Sequence, residues 1–112
     1  MIPKTLVAAS LQPIMLSLLA RKDMYGYEII ESAKKASGGA IEWTSNKLYP
    51  LLHRMEHDGL LTAYWRSSDE GPDRKYYRLT AAGKKHLEAE RREWFRVTSL
   101  LEDLADPGFA IQ

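Results

Sequence analysis

The sequence of 112 residues predicts a mainly α-helical chain carrying one small β-hairpin. Three observations lead there. Apolar residues recur at spacings of three, four and seven in stretches before residue 60, which is the period of a helix with one buried face. Two short stretches, 61–66 and 74–79, read as strands on either side of a turn-rich segment. The last stretch sets Leu87, Trp94 and Leu101 seven apart, the spacing of a helix that meets another along a seam.

The first helix is carried by Leu6, Val7, Leu11, Ile14, Met15, Leu18 and Leu19. Pro13 lies inside this run, removes a backbone donor and crowds the preceding turn. The best-formed part is therefore expected over 13–21, with Pro13 in its first turn. Asp23 is placed to cap a second helix from about Met24 to Ala36, with Ile29, Ile30 and Ala33 inward and Gly38-Gly39 as its stop. The third helix follows Thr44 or Ser45 as N-cap; Leu48, Leu51, Leu52 and Met55 form its stripe and Gly59 ends it. Pro50 conflicts with an unbroken helix: either the helix begins near Pro50, or packing tolerates one missing bond. Leu61, Ala63 and Trp65 then alternate with Thr62, Tyr64 and Arg66, and "RKYYRL" (74–79) forms the returning strand after the turn residues 67–73. Thr80 caps a final helix to about Leu104, before Pro107-Gly108. Its stripe of Leu87, Trp94, Val97, Leu101 and Leu104 makes a heptad seam, interrupted by Glu90, and marks a dimerisation helix. The competing reading packs this stripe on its own domain, against Leu6 to Leu19. The boundary falls at the hairpin, with 1–79 as one unit and 80–112 as the helix that carries the seam.

Composition narrows the function. No cysteine is present, which excludes a disulfide scaffold, a thiolate metal site and a cysteine nucleophile. The apolar run after Pro3 and Lys4 is broken by Gln12 and Ser17, so it reads neither as a signal peptide nor as a membrane span. A cytoplasmic protein is expected. The formal charge is +1 and the sequence pI about 8.0, short of the strong basicity of many nucleic-acid binders. Any such role must rest on local patches.

Three helices, a hairpin and a last helix make the order of a winged helix-turn-helix, in which one helix enters the DNA major groove and the hairpin wing touches the flanking backbone. Projected at about 100° per residue, the third helix turns Asn46, Tyr49, Pro50, His53 and His57 away from its apolar stripe. Ser45 starts that face, and Lys47 and Arg54 flank it. Asn and Arg pair with base edges, and Lys and Arg neutralise phosphate. The wing adds Arg74, Lys75 and Arg78 on one strand and Arg66 on the other. A merely solvated helix face and an edge hairpin kept soluble by charge are the plainer readings of the same residues.

"YGYEI" at 25–29, "LYPLLHRMEHDGLL" at 48–61 and "RKYYRLTAAGKKHL" at 74–87, in this order and spacing, resemble the PadR-type transcriptional regulators, over nearly the whole chain from about Leu11 to Leu104. The resemblance implies a winged-helix repressor that dimerises through its C-terminal helix and binds a palindromic operator. It also implies that the Leu-Tyr-Pro segment lies within the recognition helix, and that the single last helix belongs to the short form of the family. The lead-in "EWTSNK" departs from the family's short Ser/Pro/Gly type, at Trp43 and Asn46. Some regulators of this type bind planar aromatic compounds at the dimer centre between tryptophans of the last helix. That implies an effector site at Trp94, with Phe95 beside it and Leu11, Met15 and Met24 as pliable apolar walls.

Other chemistry is weaker. His53 and His57 are four apart without a third ligand in sequence, and His86 lies on another helix, so no metal site is expected. No phosphate-binding glycine loop and no nucleophile–base spacing is present, so neither an enzyme nor a cofactor is expected. The competing function is a winged helix used as a protein-interaction module without DNA binding. Exposed apolar anchors on the third helix would favour it, and Tyr49 is the one candidate.

Overall fold

The computed structural model describes residues 2–112, which form α1 (Lys4–Arg21), β1 (Met24–Tyr25), α2 (Gly26–Ala36), α3 (Ser45–His57), β2 (Leu61–Arg66), β3 (Arg74–Leu79) and α4 (Ala81–Ala105). The three strands form one antiparallel sheet in the order β1-β3-β2. Leu16, Ile29, Leu48, Leu52, Met55, Leu61 and Tyr77 are fully or almost fully buried in the core that α1, α2, α3 and the sheet share.

Three expectations require correction. First, α1 is continuous from Lys4, with Pro13 inside it rather than at its start. The bond lost is to the carbonyl of Ala9, an exposed residue, which water can satisfy, while the flanking turns pack on α4. Secondly, α2 begins at Gly26, not Met24, and Asp23 does not cap it. Met24 and Tyr25 pair instead with Tyr77 and Tyr76, turning the expected two-stranded hairpin into a three-stranded sheet. The buried Met24 side chain gains more on the inner face of that sheet than in a first helical turn. Asp23 accepts hydrogen bonds from the Tyr64 hydroxyl at 2.5 Å and Arg78 Nε at 3.1 Å. Thirdly, Thr44 occupies the N-cap position of α3, but its side chain makes no capping bond.

The question left by Pro50 resolves toward the unbroken helix. Pro50 sits inside α3, and the carbonyl it leaves without a partner is that of exposed Asn46. Both α2 and α3 close with the same device. Gly38 (φ 62°) and Gly59 (φ 79°) adopt the left-handed conformation. The amides of Gly39 and Leu60 reach back to the carbonyls of Lys34 at 2.8 Å and Met55 at 2.9 Å, the six-to-one bond of a Schellman motif.

Thr80 joins α3 to α4. Its amide donates to the Leu60 carbonyl at 3.1 Å, and its hydroxyl lies 2.7 Å from the Gly59 carbonyl while accepting from the Gly83 amide at 3.0 Å. From there α4 leaves the core: past Leu87 no residue of it is fully buried. The Cα radius of gyration is 16.7 Å and the longest extent 60 Å, against about 13 Å expected for a compact chain of this length. The outer half of α4 accounts for the excess. No helix among the described residues is long and apolar enough to cross a membrane.

Candidate nucleic-acid interface

The α3 stripe of Leu48, Leu51, Leu52 and Met55 is buried, which turns Ser45, Asn46, Lys47, Tyr49, Pro50, His53, Arg54 and His57 outward, all of them exposed. Lys47 and Arg54 enter none of the ion pairs among the described residues. Tyr49 is 37% exposed; its ring lies 6.2 Å from that of His53.

The sheet sorts the wing residues by face. Tyr25, Tyr76 and Tyr64 line up across the three strands. Tyr25 meets Tyr76 edge-on at 5.4 Å, and Tyr64 stacks on Tyr76 at 5.8 Å. Guanidiniums cover these rings: Arg74 over Tyr25 at 4.5 Å, Arg66 over Tyr76 at 4.8 Å and Arg78 over Tyr64 at 5.0 Å. Arg66 and Arg74 are directly opposed in register, a placement of like charges that destabilises a sheet unless something else holds the pair. Here the rings hold it. Arg78 is held by Asp23, whose hydrogen bond and charge stabilise the guanidinium and raise its pKa. The same carboxylate raises the Tyr64 pKa, chiefly by accepting its proton in a hydrogen bond.

Lys75 departs from the expected role. It alternates with Arg74 and Tyr76, so it faces the inner side, where it pairs with Glu56 of α3 at 3.4 Å and lies 5.4 Å from the Tyr77 ring. Its charge is matched within the fold and ties wing to α3, whereas Arg74 remains outward. Tyr77 beneath it is 1% exposed, and burial pushes its phenol pKa up despite the nearby ammonium.

Along α4 the expected seam divides. Leu87 is buried in its own domain and belongs to the core. Trp94 is half-buried. Val97, Leu101 and Leu104 are exposed, Leu101 to 67%, together with Leu100 and Phe95. A groove of about 270 Å³ runs between α1 and α4, lined by Ser10, Pro13, Ile14, Ser17, Arg91 and Trp94, with the Arg91 guanidinium donating to Ser17 Oγ at 3.0 Å. Of the five expected effector residues, only Trp94 lines it, and Met24 is buried in the core. Met15 is fully buried in the core, Leu11 packs against that core, and Phe95 points to solvent. Met15 and Leu11 went astray because helical spacing marks which residues turn inward but not whether a cavity or a core receives them.

Sequence reasoning also missed polar groups that join elements: Asp23, which holds the wing from the turn before β1, and the Gln12–His86–Glu90 cluster between α1 and α4. In that cluster His86 Nε2 lies 2.9 Å from the Gln12 amide and 2.8 Å from the Glu90 carboxylate, which also accepts from Gln12. Residues 74 and more apart in sequence carry no local signal of such contacts. Among the described residues no three His, Cys, Asp or Glu side chains gather as a metal-binding group.

Comparison with known proteins agrees with this geometry. An uncharacterized protein of Lysinibacillus sphaericus is 30% identical over 102 residues, covering 91% of this chain and 94% of that protein. A transcriptional regulator from Clostridium thermocellum superposes with a TM-score of 0.84 at 25% identity, over 95% of this chain and all of that one. A PadR family transcriptional regulator from Eggerthella lenta superposes with a TM-score of 0.79 at 31% identity, over 93% of this chain and 88% of that one. The transcriptional regulator PadR-like family model matches residues 15–89, from the end of α1 through the wing into α4. With most of its length matched and its winged helix-turn-helix shared, the chain belongs to the PadR-like family of transcriptional regulators.

Proposed function

We propose that the chain acts as a homodimeric repressor on a palindromic operator, with residues 1–79 as the DNA-binding unit and 80–112 as the dimerisation helix. The observation that carries the DNA-binding part is positive charge without an internal counter-ion. Lys47 and Arg54 on α3, and Arg66 and Arg74 on the wing, are exposed and enter no ion pair among the described residues. Phosphates supply the missing counter-charge. In this reading Ser45, Asn46, Tyr49, Pro50 and His53 present the remainder of the docking face, and Lys75 holds the wing to α3 rather than touching DNA. The exposed stripe of Val97, Leu101 and Leu104, with Trp94 at its inner end, supports self-association, because burying it removes apolar surface from water. The groove beside Trp94 supports a planar aromatic effector, flanked by the Arg91 guanidinium. A protein-interaction module fits less well: on the α3 face Tyr49 is the only large exposed anchor, and the cations around it suit phosphate.

A gel-shift titration of the chain against the DNA upstream of its own gene tests the reading. Binding that saturates as one dimer per site, and that weakens steeply between about 50 and 200 mM salt, is expected. Salt-independent binding, or none, overturns it.

A further inference from the structure

Gly26, the first residue of α2, lies beneath the ring of Tyr49 on α3. A Cβ at position 26 would sit 2.7 Å from Tyr49 Cζ and 2.9 Å from Cε1, well inside the separation at which carbon atoms attract. Nothing in the backbone asks for glycine there. Gly26 is not among the residues with positive φ, and glycine weakens a helix in which alanine would serve. The three heavy atoms nearest to such a Cβ all belong to the Tyr49 side chain. Tyr49 is confined in other ways as well: Pro50 follows it within α3, and the His53 ring lies a turn away. Its hydroxyl makes none of the side-chain hydrogen bonds within the described chain, and the residue remains 37% exposed.

We propose that Gly26 is a positioning residue for DNA recognition: it seats the Tyr49 ring against the start of α2 and so fixes where the Tyr49 hydroxyl meets a phosphate. The inference rests on the DNA-binding reading above. A seated ring loses little rotamer freedom on docking, so its hydroxyl contributes more than that of a free side chain would. Gly83 marks the contrast. A side chain there would run into the backbone carbonyl of Leu60, which cannot move aside. At Gly26 the obstacle is a side chain that can swing outward, so Gly26→Ala displaces Tyr49 and leaves the fold in place.

Operator affinity by fluorescence anisotropy, on wild type, Gly26→Ala, Tyr49→Ala, Tyr49→Phe and the Gly26→Ala/Tyr49→Ala double variant, tests the proposal. Melting curves and the NMR resonances of the His53 ring are followed alongside. Gly26→Ala is expected to melt no lower than wild type, to shift the His53 resonances and to weaken binding about fivefold to tenfold, the loss of one hydrogen bond. Tyr49→Phe, which keeps the seat and removes only the hydroxyl, is expected to weaken it similarly. In the Tyr49→Ala background Gly26→Ala should then change nothing. Equal losses in both backgrounds, full affinity in Gly26→Ala or Tyr49→Phe, or unmoved His53 resonances overturn it. If wild type itself binds no operator DNA, the DNA-binding reading falls and takes the recognition role with it. If wild type binds and Tyr49→Ala binds equally well, only the present inference falls.

Discussion

Lys47 and Arg74 carry unmatched charge on different elements, so their contributions to DNA binding should be separable and nearly additive. Each phosphate neutralised contributes about 0.9 to the slope of log affinity against log salt. Replacing both residues by alanine removes four contacts from the proposed dimer and should therefore flatten that slope by about 3.6, and a double variant with the wild-type slope would mean that α3 and wing do not dock as proposed. Gly83 makes a structural prediction. A methyl group there meets the Leu60 carbonyl and lies 2.6 Å from Leu79 Cδ1, a clash of the overpacked kind. Gly83→Ala should cost roughly 1–3 kcal/mol of unfolding free energy in urea titrations, although alanine is the better helix former. Tyr77 makes a prediction about pH. Burial favours its neutral phenol, so the native chain keeps the proton to higher pH than the unfolded chain does. That stability is complete below about pH 10, the ordinary tyrosine value, and is lost as pH climbs through the raised native value. Stability measured from about pH 8 to 11 should therefore fall less steeply in Tyr77→Phe than in wild type.

Among the elements, α4 offers the cleanest test. Leu101 is exposed in the single chain, so Leu101→Glu cannot disturb the protomer core. In a helix-to-helix interface the same change buries an unpaired carboxylate, at roughly 2 kcal/mol or more per copy. Analytical ultracentrifugation should find a folded monomer; a folded dimer would remove α4 as the main contact. The elements also show where sequence is legible. The buried stripe of α3, the extents of β2 and β3 and the Thr80 cap were readable because each is encoded within a few residues. The two prolines were not, because the cost of a proline depends on whether the carbonyl it strands can reach water. At Ala9 and Asn46 it can. The strand β1 is two residues long, too short for any alternation to register, and it exists because β3 offers an edge. The exposed face of α3, the proposed docking face, was legible as a set of residues turned away from the apolar stripe. Lys75 was not, since its direction follows from pairing with Glu56 across the fold. Nor was the seat of Tyr49, since Gly26 reads locally as a weak helix start.

At the scale of the molecule, the groove between α1 and α4, proposed as the effector site, lies against the proposed dimer seam, and its tryptophan can be told from the others. Trp43 is buried at 5% exposure while Trp65 stands at 67% on the wing. Planar aromatic compounds should quench wild-type fluorescence more than that of Trp94→Ala, with stacking contributing about 1 kcal/mol beyond area burial. Equal quenching in both would remove the groove as a ligand site. Thr80 gives such a ligand a mechanical route to DNA. It ties the first turn of α4 to the Gly59–Leu60 corner at the end of α3, so the two helices share a joint. Counted from there, Trp94 stands about 20 Å along the helix and the far end about 37 Å. Leu87 in the core, the Gln12–His86–Glu90 cluster and the Arg91–Ser17 bond hold the inner part of the same helix to α1, so helix and domain tilt as one body, and a tilt of about 5° moves Trp94 by about 2 Å and the tip by about 3 Å. In the proposed dimer the arms are braced against each other, so the motion runs backwards. A flat ring wedged at Trp94 prises the arms apart by about its own half-thickness, and both reading heads pivot by the same few degrees, provided the ring binds the splayed arrangement better. In the proposed dimer each chain is one stiff arm of a pair of calipers, its helix held to its head at Thr80, Leu87 and Arg91 alike.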